Sequence, residues 1–450
     1  MRGLQSWHSG VALTAWRGLR LIALQMAART RSTSAVHRKN IVLIDWLCMR
    51  VVVAADAIAF DLGEVEVLKI LYLVPNLGDA AAQRRVAMLR EGGADVTIAG
   101  FQRHGAAEPG EGSVVLGRTF DARFTQRILA VARATNSIRR RLRGISTDVI
   151  IARNLEMLFL ARRLRPVGAT DPAMIYECLD IHRLLLRPDL VGRSLRRLEA
   201  HLSASAAMVM TSSPAFIREY FAKWRTALPP MLLVENKVHG DRSDRGTNPV
   251  FSQPNRGVAI RIGWFGALRC SRSLSALLAL AKQRPKTVEL ILRGRPATHE
   301  FPDFAGDVVR LPNLQFAGPY RSPADLRTIY SDVHLTWAID FFEAGQNSDW
   351  LLPNRIYEGC LHGAIPVALA GTETAAFLKQ HGIGIVIPDI APKTLVDMVD
   401  RLDHDTLSGL AKKVAALPRG TFADDPADCE DLVQRLAAAV GVPRALEMAA

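Results

Sequence analysis

The sequence predicts an α/β protein of two doubly wound, parallel-sheet domains facing a central cleft. Three observations carry this. Short, continuously apolar, β-rich runs alternate with helical patterns between residues 70 and 388; unbroken apolar runs imply strands buried on both faces, as in parallel sheets covered by helices. The alternation pauses at one stretch, "HGDRSDRGTNPVFSQPNRG" (239–257), rich in Gly, Pro, Asn, Ser and charge, and then restarts. At 450 residues the chain is too long for one ordinary domain and comfortable for two.

Taken in order, residues 1–66 precede the first clear strand. Their first 40 positions hold several Arg and no Asp or Glu, like a transit peptide or a basic surface segment. They are read as an upstream extension, with Met49 an alternative start. The first domain spans 67–238. Its strands are "ILYLV" (70–74), "DVTIAG" (95–100), "DVIIA" (148–152), "MIYECLD" (174–180) and "AMVMTS" (207–212). Helical patterns near 83–91, 121–143, 155–165 and 190–202 separate them. After the linker at 239–257, the second domain covers 258–427. Its strands are "AIRIGWFG" (259–266), "TVELILRG" (287–294), "LQFAG" (314–318), "VHLTWAID" (333–340), "IPVALA" (365–370) and "GIVIP" (384–388). Residues 428–450 form a terminal helix, "CEDLVQRLAAAV" (429–440), and a tail; the helix is expected to pack back across the hinge.

Composition narrows the function. Hydrophobic content of 49% and charged content of 22% suit a globular protein with ample core. The most apolar run (41–62) is interrupted by Asp45, Arg50, Asp56 and Asp61, so no membrane span is expected. Five scattered cysteines, never in CxxC spacing, argue against a disulfide framework or a zinc site and for a cytoplasmic location. A net charge of +13 calls for an acidic partner: nucleic acid, anionic lipid or a phosphorylated substrate. No P-loop, HExxH, GxSxG or EF-hand pattern is present.

Four strand-to-helix junctions hold the candidate chemistry, because ligands of open α/β sheets bind at the carboxyl ends of strands. In "VPNLGDAAAQRR" (74–85), Gly78 permits close backbone approach and Asp79 is either a helix N-cap or a group facing the cleft. In "ECLDIHR" (177–183), Glu177, Asp180 and His182 follow a buried strand. A carboxylate there can activate a hydroxyl, and Asp180 is the stronger candidate. "ARNLEM" (152–157) adds Arg153 or Asn154 to the same mouth. In "GWFGALRCSRS" (263–273) the spacing is GxxG rather than GxGxxG, and Arg269 and Arg272 are placed to clamp a diphosphate. The fourth, "NSDWLLPNRIYEGCLHGAIPV" (347–367), is the most specific. Pro353 suits a helix's first turn, Gly363 its stop, and Asn354 and Glu358 share a face. A helix start attracts phosphate, and a glutamate one turn on can take vicinal hydroxyls, which together outline a sugar nucleotide.

The stretch "PNRIYEGCLHGAIPV" (353–367) resembles the donor-binding signature of the group 1 glycosyltransferases of GT-B fold, of the form PNKxxEYxxxGxPV. "GWFGALRCSRSLSALLALA" (263–281) is similar to the start of their second domain. "ILYLVPNLGDAAAQRRVAMLREGGADVTIAGFQR" (70–103) looks like the first unit of their exopolysaccharide-assembly members, and 67–440 as a whole resembles the succinoglycan-biosynthesis, ExoL type. The resemblance implies a GT-B fold, with a nucleotide-sugar donor (a UDP-sugar) on the second domain and a lipid-linked or oligosaccharide acceptor on the first. It gives Glu358 the ribose hydroxyls, Asn354 and Arg355 the diphosphate and donor sugar, and Arg269 and Arg272 the leaving group. Gly266 and Asn347 join the donor side; Gly78, Asn154 and His182 the acceptor side. No metal or other cofactor is implied. One departure stands out: the common retaining pattern has an acidic residue eight positions before the helix glutamate, and here that position is Trp350. Asp349 and Glu343 lie nearby, out of register. The retaining mechanism is therefore not carried over, and an inverting enzyme would need Asp180 or Asp79 as base.

The basic segments 137–144, 161–166 and 192–202 all fall in the first domain and suit an anionic membrane surface. The expectation is a cytoplasmic glycosyltransferase peripheral to the inner membrane. The alternatives are a sugar-nucleotide epimerase of the same fold, a non-catalytic scaffold, or a basic nucleic-acid-binding protein; the last has no binding motif or aromatic platform to support it.

Overall fold

The computed structural model describes residues 67–103, 112–119, 124–164, 172–224, 228–240, 259–297, 299–301 and 303–441. The extension 1–66, most of the linker and the tail from 442 lie outside these. Val67–Arg444 is one compact unit. It holds two parallel sheets. The first has seven strands in the order β3-β2-β1-β4-β5-β6-β7, the second six in the order β10-β9-β8-β11-β12-β13. In each the order reverses beside the lobe's first strand, between β1 (Lys69–Val74) and β4 (Val149–Arg153), and between β8 (Ile260–Leu268) and β11 (Leu335–Trp337). Such a switch point opens a crevice at the strands' carboxyl ends.

The apolar runs form these sheets because both faces are covered. Along β1, Leu71 and Leu73 point to one cluster with helices α2 (Phe124–Arg141) and α3 (Asn154–Leu164). Ile70, Tyr72 and Val74 point to the opposite cluster, with α1 (Ala80–Glu91). The remaining first-lobe elements are β2 (Asp95–Arg103), β5 (Ala173–Cys178), α4 (Leu190–Ser203), β6 (Met208–Thr211) and a π-helical turn, Phe216–Phe221. Two strands were not anticipated: β3 (Val114–Thr119) and β7 (Met231–Leu233). Both are sheet edges, short and partly exposed, so they lack the continuous apolar signal of the central strands.

The second lobe follows the same plan. Helix α5 (Ser271–Gln283) follows β8; β9 (Val288–Pro296), α6 (Phe304–Val309), β10 (Leu314–Phe316) and α7 (Leu326–Ser331) lead to β11. Helices α8 (Asn347–Trp350) and α9 (Asn354–Leu361) precede β12 (Ile365–Leu369). Then come α10 (Glu373–His381), β13 (Ile385–Ile387), α11 (Pro392–Asp400) and α12 (His404–Ala416).

Two features tie the lobes together. The terminal helix α13 (Pro426–Ala439) opens with a capping box, Asp425 and Asp428. It then inserts Cys429, Leu432, Val433, Leu436 and Ala437 into the first lobe's core beside α1. Burying each Leu or Val of this kind stabilises by roughly 1.5–3 kcal/mol. The helix thus follows the second lobe in sequence and packs on the first, the crossing that was expected of it. In return, Trp350 and Leu351, from the second lobe's sequence, pack against the first lobe's other cluster. No helix of the described residues is long and apolar enough to cross a membrane.

Candidate active site

The site begins where β8 and β9 end. Gly266 and Gly294 are paired in register and have φ of 105° and 130°. A Cβ on Gly294 would lie 1.8 Å from the Gly266 carbonyl oxygen, so this approach requires glycine. Past this close strand approach, Arg269 follows the end of β8 and precedes α5. Its guanidinium lies 3.5 Å from Asp340 Oδ2 and sits 4.7 Å over the Phe342 ring. Arg272 does not share this position: it is exposed, stacks 4.0 Å over Phe341 and does not line the cavity. Sequence spacing puts both arginines in one loop, but the first turn of α5 rotates the second outward.

Helix α9 forms the facing wall. Pro353 is its N-cap rather than part of its first turn, with ψ of 143°, and Asn354 is the first helical residue. Ile356, Tyr357 and Cys360 anchor the helix in the core, while Gly359 lets it close on Thr336 of β11. Gly363, with φ of 87°, turns the chain into β12. This leaves Asn354, Arg355 and Glu358 on the crevice side. Arg355 Nη1 donates to the Trp337 carbonyl at 3.1 Å. Glu358 is only 4% exposed, and its Oε2 accepts from Tyr330 O–H at 3.1 Å and Tyr320 O–H at 3.4 Å. Burial pushes its carboxyl up, against Arg84, Tyr330 and Arg355.

The first lobe contributes Asp180, in the loop after β5. Burial in the crevice and the nearby Glu343 carboxylate push its carboxyl up to about 6, with Arg269 pulling the other way. The loop is clamped from the opposite lobe. Asn347, 2% exposed, accepts from Ile181 N–H at 3.2 Å and donates to the Ile181 carbonyl at 2.6 Å and to Glu343 Oε2 at 2.5 Å. Asn347 is thus a bridge between lobes and does not line the cavity.

Asp180, Gly266, Arg269, Asn354, Arg355 and Glu358 converge on one cavity of about 300 Å³. Tyr320, Ser212, Asn236 and Asp340 complete it and were not foreseen. Tyr320 sits in an irregular loop after β10 and meets Glu358 from 38 positions away, a pairing no local pattern encodes.

Several candidates fall elsewhere. Asp79 caps α1, accepting from Ala81 N–H at 3.3 Å, and forms an ion pair with Arg153 at 2.8 Å. It is the cap of the two readings open for it. Gly78 N–H donates to Asn76 Oδ1 at 3.2 Å, and Gly78 does not line the cavity. Glu177 is fully buried between Arg85 (3.0 Å), Arg153 (2.8 Å) and the Tyr72 hydroxyl. Burial alone would raise its carboxyl, but Arg153 and Arg85 hold it below the usual range. It is a core ion cluster. Asn154 opens α3 at φ 68°, its Oδ1 buried without a hydrogen-bond partner. His182 is exposed, its Nδ1 accepting from Leu184 N–H at 3.3 Å. Trp350, at the position where the retaining pattern has an acid, packs on the first lobe's core.

No family model matches the chain. It is 49% identical over 378 residues to succinoglycan biosynthesis protein ExoL of Rhizobium meliloti (strain 1021), covering 82% of this chain and 93% of that protein. Among solved structures it is similar to sucrose-phosphate synthase from Thermosynechococcus elongatus: TM-score 0.63, 13% identity, 83% of this chain and 100% of the other. It is also similar to Anabaena HepE in complex with UDP and glucose: TM-score 0.57, 16% identity, 84% and 100% coverage. These structural likenesses establish the GT-B fold.

Proposed function

This chain belongs to the family of the succinoglycan biosynthesis protein ExoL, and from that premise we propose how its cleft moves a sugar. It is a glycosyltransferase of exopolysaccharide synthesis, built on the GT-B fold. In our reading the second lobe holds a UDP-sugar and the first receives a lipid-linked or oligosaccharide acceptor. HepE was solved with UDP and glucose, which supports the donor class. The observation that carries the reading is the meeting of Asp180, from one lobe, with Arg269, Asn354, Arg355 and Glu358, from the other, around a single cavity.

Each side chain then has a task. Glu358 takes the ribose hydroxyls, its carboxylate oriented by two tyrosine hydroxyls. The open N–H groups at the start of α9, with Arg355 and Arg269, hold the diphosphate. Asp180 removes the proton from the acceptor hydroxyl. That oxygen bonds to the anomeric carbon as the carbon–phosphate oxygen bond breaks, and UDP departs with the electron pair. The arginines and helix end meet the charge that develops on the diphosphate, so the reaction is proposed to need no catalytic metal. Such a single displacement inverts the anomeric centre. The Trp350 side chain, committed to the lobe contact, supports this over a retaining route.

The acceptor is proposed to arrive from an anionic membrane surface. At the start of α4, Leu190 is 73% exposed and Val191 49%, beside exposed Arg193 and Arg197. Apolar residues flanked by arginine match an interface of acyl chains and acidic headgroups.

The test supplies UDP-sugars with and without membrane-extracted lipid saccharides. UDP release that requires acceptor, with a glycosylated product of inverted configuration, is expected. Interconversion of the sugar nucleotide without acceptor would instead make the protein an epimerase. Sedimentation with anionic but not neutral vesicles, lost in Leu190→Ser, Val191→Ser, tests the surface.

A further inference from the structure

Away from the crevice, three chain segments meet at the junction of the lobes: the end of α1, the start of the linker and the first turn of α13. Each brings a metal-ligating side chain. His239 Nε2 lies 3.3 Å from Glu91 Oε2, and His239 Nδ1 lies 3.9 Å from Cys429 Sγ. The donor atoms of Glu91, His239 and Cys429 all fall within 4.8 Å of one another. We propose that these three residues bind one divalent cation of the zinc class, a structural site that pins the two lobes together at their hinge.

The separations lie a small contraction away from a site, with the sulfur–imidazole pair at 3.9 Å and all three donor atoms within 4.8 Å of one another. With Zn–N and Zn–O about 2.0–2.2 Å and Zn–S about 2.3 Å, a tetrahedral site sets its ligand atoms roughly 3.3–3.8 Å apart. The mixed sulfur, imidazole and carboxylate set is the borderline-soft set that zinc favours. An imidazole gives a cation one nitrogen. Entry of the ion therefore draws the Cys429 sulfur and a Glu91 carboxylate oxygen toward the one ring nitrogen it takes, and water completes the coordination. Binding displaces the thiol proton to solvent.

The surroundings are prepared for positive charge. Asp424, Glu91, Asp428 and Asp425 all act electrostatically on the Cys429 sulfur. Asp424 Oδ2 is buried and has no hydrogen-bond partner, an oxygen that water bound to the ion would satisfy. The backbone is fixed as well. Any side chain at Gly92 would meet the Cys429 carbonyl oxygen at 2.2 Å, so the end of α1 and the start of α13 touch without intervening atoms. A ligand set drawn from three segments on a rigid frame is how a metal cross-links a fold.

The experiment uses the full chain, stripped with chelator and dialysed, then loaded with Zn²⁺ or Co²⁺. About one zinc per chain by elemental analysis is expected, with a near-ultraviolet thiolate–cobalt band in the Co²⁺ form. Zinc should raise the melting temperature of the parent chain. Cys429→Ser should lose the cobalt band and the zinc-dependent rise. If Cys429→Ser does not fold, His239→Gln, on the linker rather than in the core, carries the same expectation. Zinc well below one per chain, or one equivalent held equally by both variants with no thiolate band in the parent, overturns the site. Neither readout depends on sugar transfer, so this result and that of the transferase assay stand apart.

Discussion

If Asp180 is the base, the rate of transfer must carry its ionisation, and a neighbour's charge must move it. The Asp180 carboxyl lies at about 6, raised from 3.8 by burial first and Glu343 second, with Arg269 opposing. A group with that constant is about nine-tenths ionised at pH 7 and about one-tenth at pH 5. Only the carboxylate accepts a proton, so kcat/KM should fall about tenfold across that interval as pH drops. Glu343→Gln removes the like charge yet leaves an amide oxygen to accept from Asn347. Its acid limb should therefore shift below 6. Asp180→Asn should lower kcat by roughly 10²–10⁴-fold, the usual yield of a positioned base, without changing UDP affinity. The assay is acceptor-dependent UDP release from pH 4.5 to 8.5 for the parent and both variants, with calorimetry for UDP. A flat parent profile, an unmoved limb in Glu343→Gln, or an Asp180→Asn rate within tenfold of the parent would refute the assignment.

Glu358→Ala should weaken UDP binding by about 1.5–3 kcal/mol, the worth of a hydrogen bond to a charged group; unchanged calorimetric affinity would count against the ribose role. Asn347→Ala deletes the two hydrogen bonds that hold the Asp180 loop to the second lobe, along with the one that Asn347 donates to Glu343. It should depress kcat while UDP affinity stays within about twofold, because Asn347 lies off the cavity; an equal loss in both would dismiss the clamp. Glu177→Gln leaves Arg85 and Arg153 facing a neutral group and should cost about 3–5 kcal/mol by thermal or urea unfolding. The Glu177 carboxyl is held below its ordinary value. Its stabilisation is thus complete above the normal glutamate range and disappears as pH falls through the depressed value. The parent should lose stability in that acid window, and the variant should show less of this loss.

What the sequence revealed follows from what is local. The central strands announce themselves because burial on both faces demands unbroken apolar runs. Asn354 and Glu358 are legible as a pair because one helical turn fixes their spacing, and Asp180 because it follows a buried strand at its carboxyl end. The contacts that the sequence hid are tertiary. Asn347 reads as part of a donor-site motif, yet its carboxamide is spent on Ile181, 166 positions away. Arg269 and Arg272 are indistinguishable as letters, and only the rotation at the start of α5 separates the cavity arginine from the one stacked on Phe341. Trp350 breaks a familiar pattern, and its use as a knob in the opposite lobe has no trace in the neighbouring residues. Edge strands β3 and β7 escape notice because they are short and mostly only partly buried.

The return of α13 to the first lobe has a consequence for how the protein is made. Leu432, Val433 and Leu436 fill a groove whose other walls, among them Ile70, Val86 and Leu89, leave the ribosome more than 300 residues earlier. The amino-terminal half therefore emerges with an oily seam that, among the described residues, the last helix covers. Its completion waits for the end of the message, so a nascent chain stalled or cut before residue 426 presents that seam to chaperones and proteases.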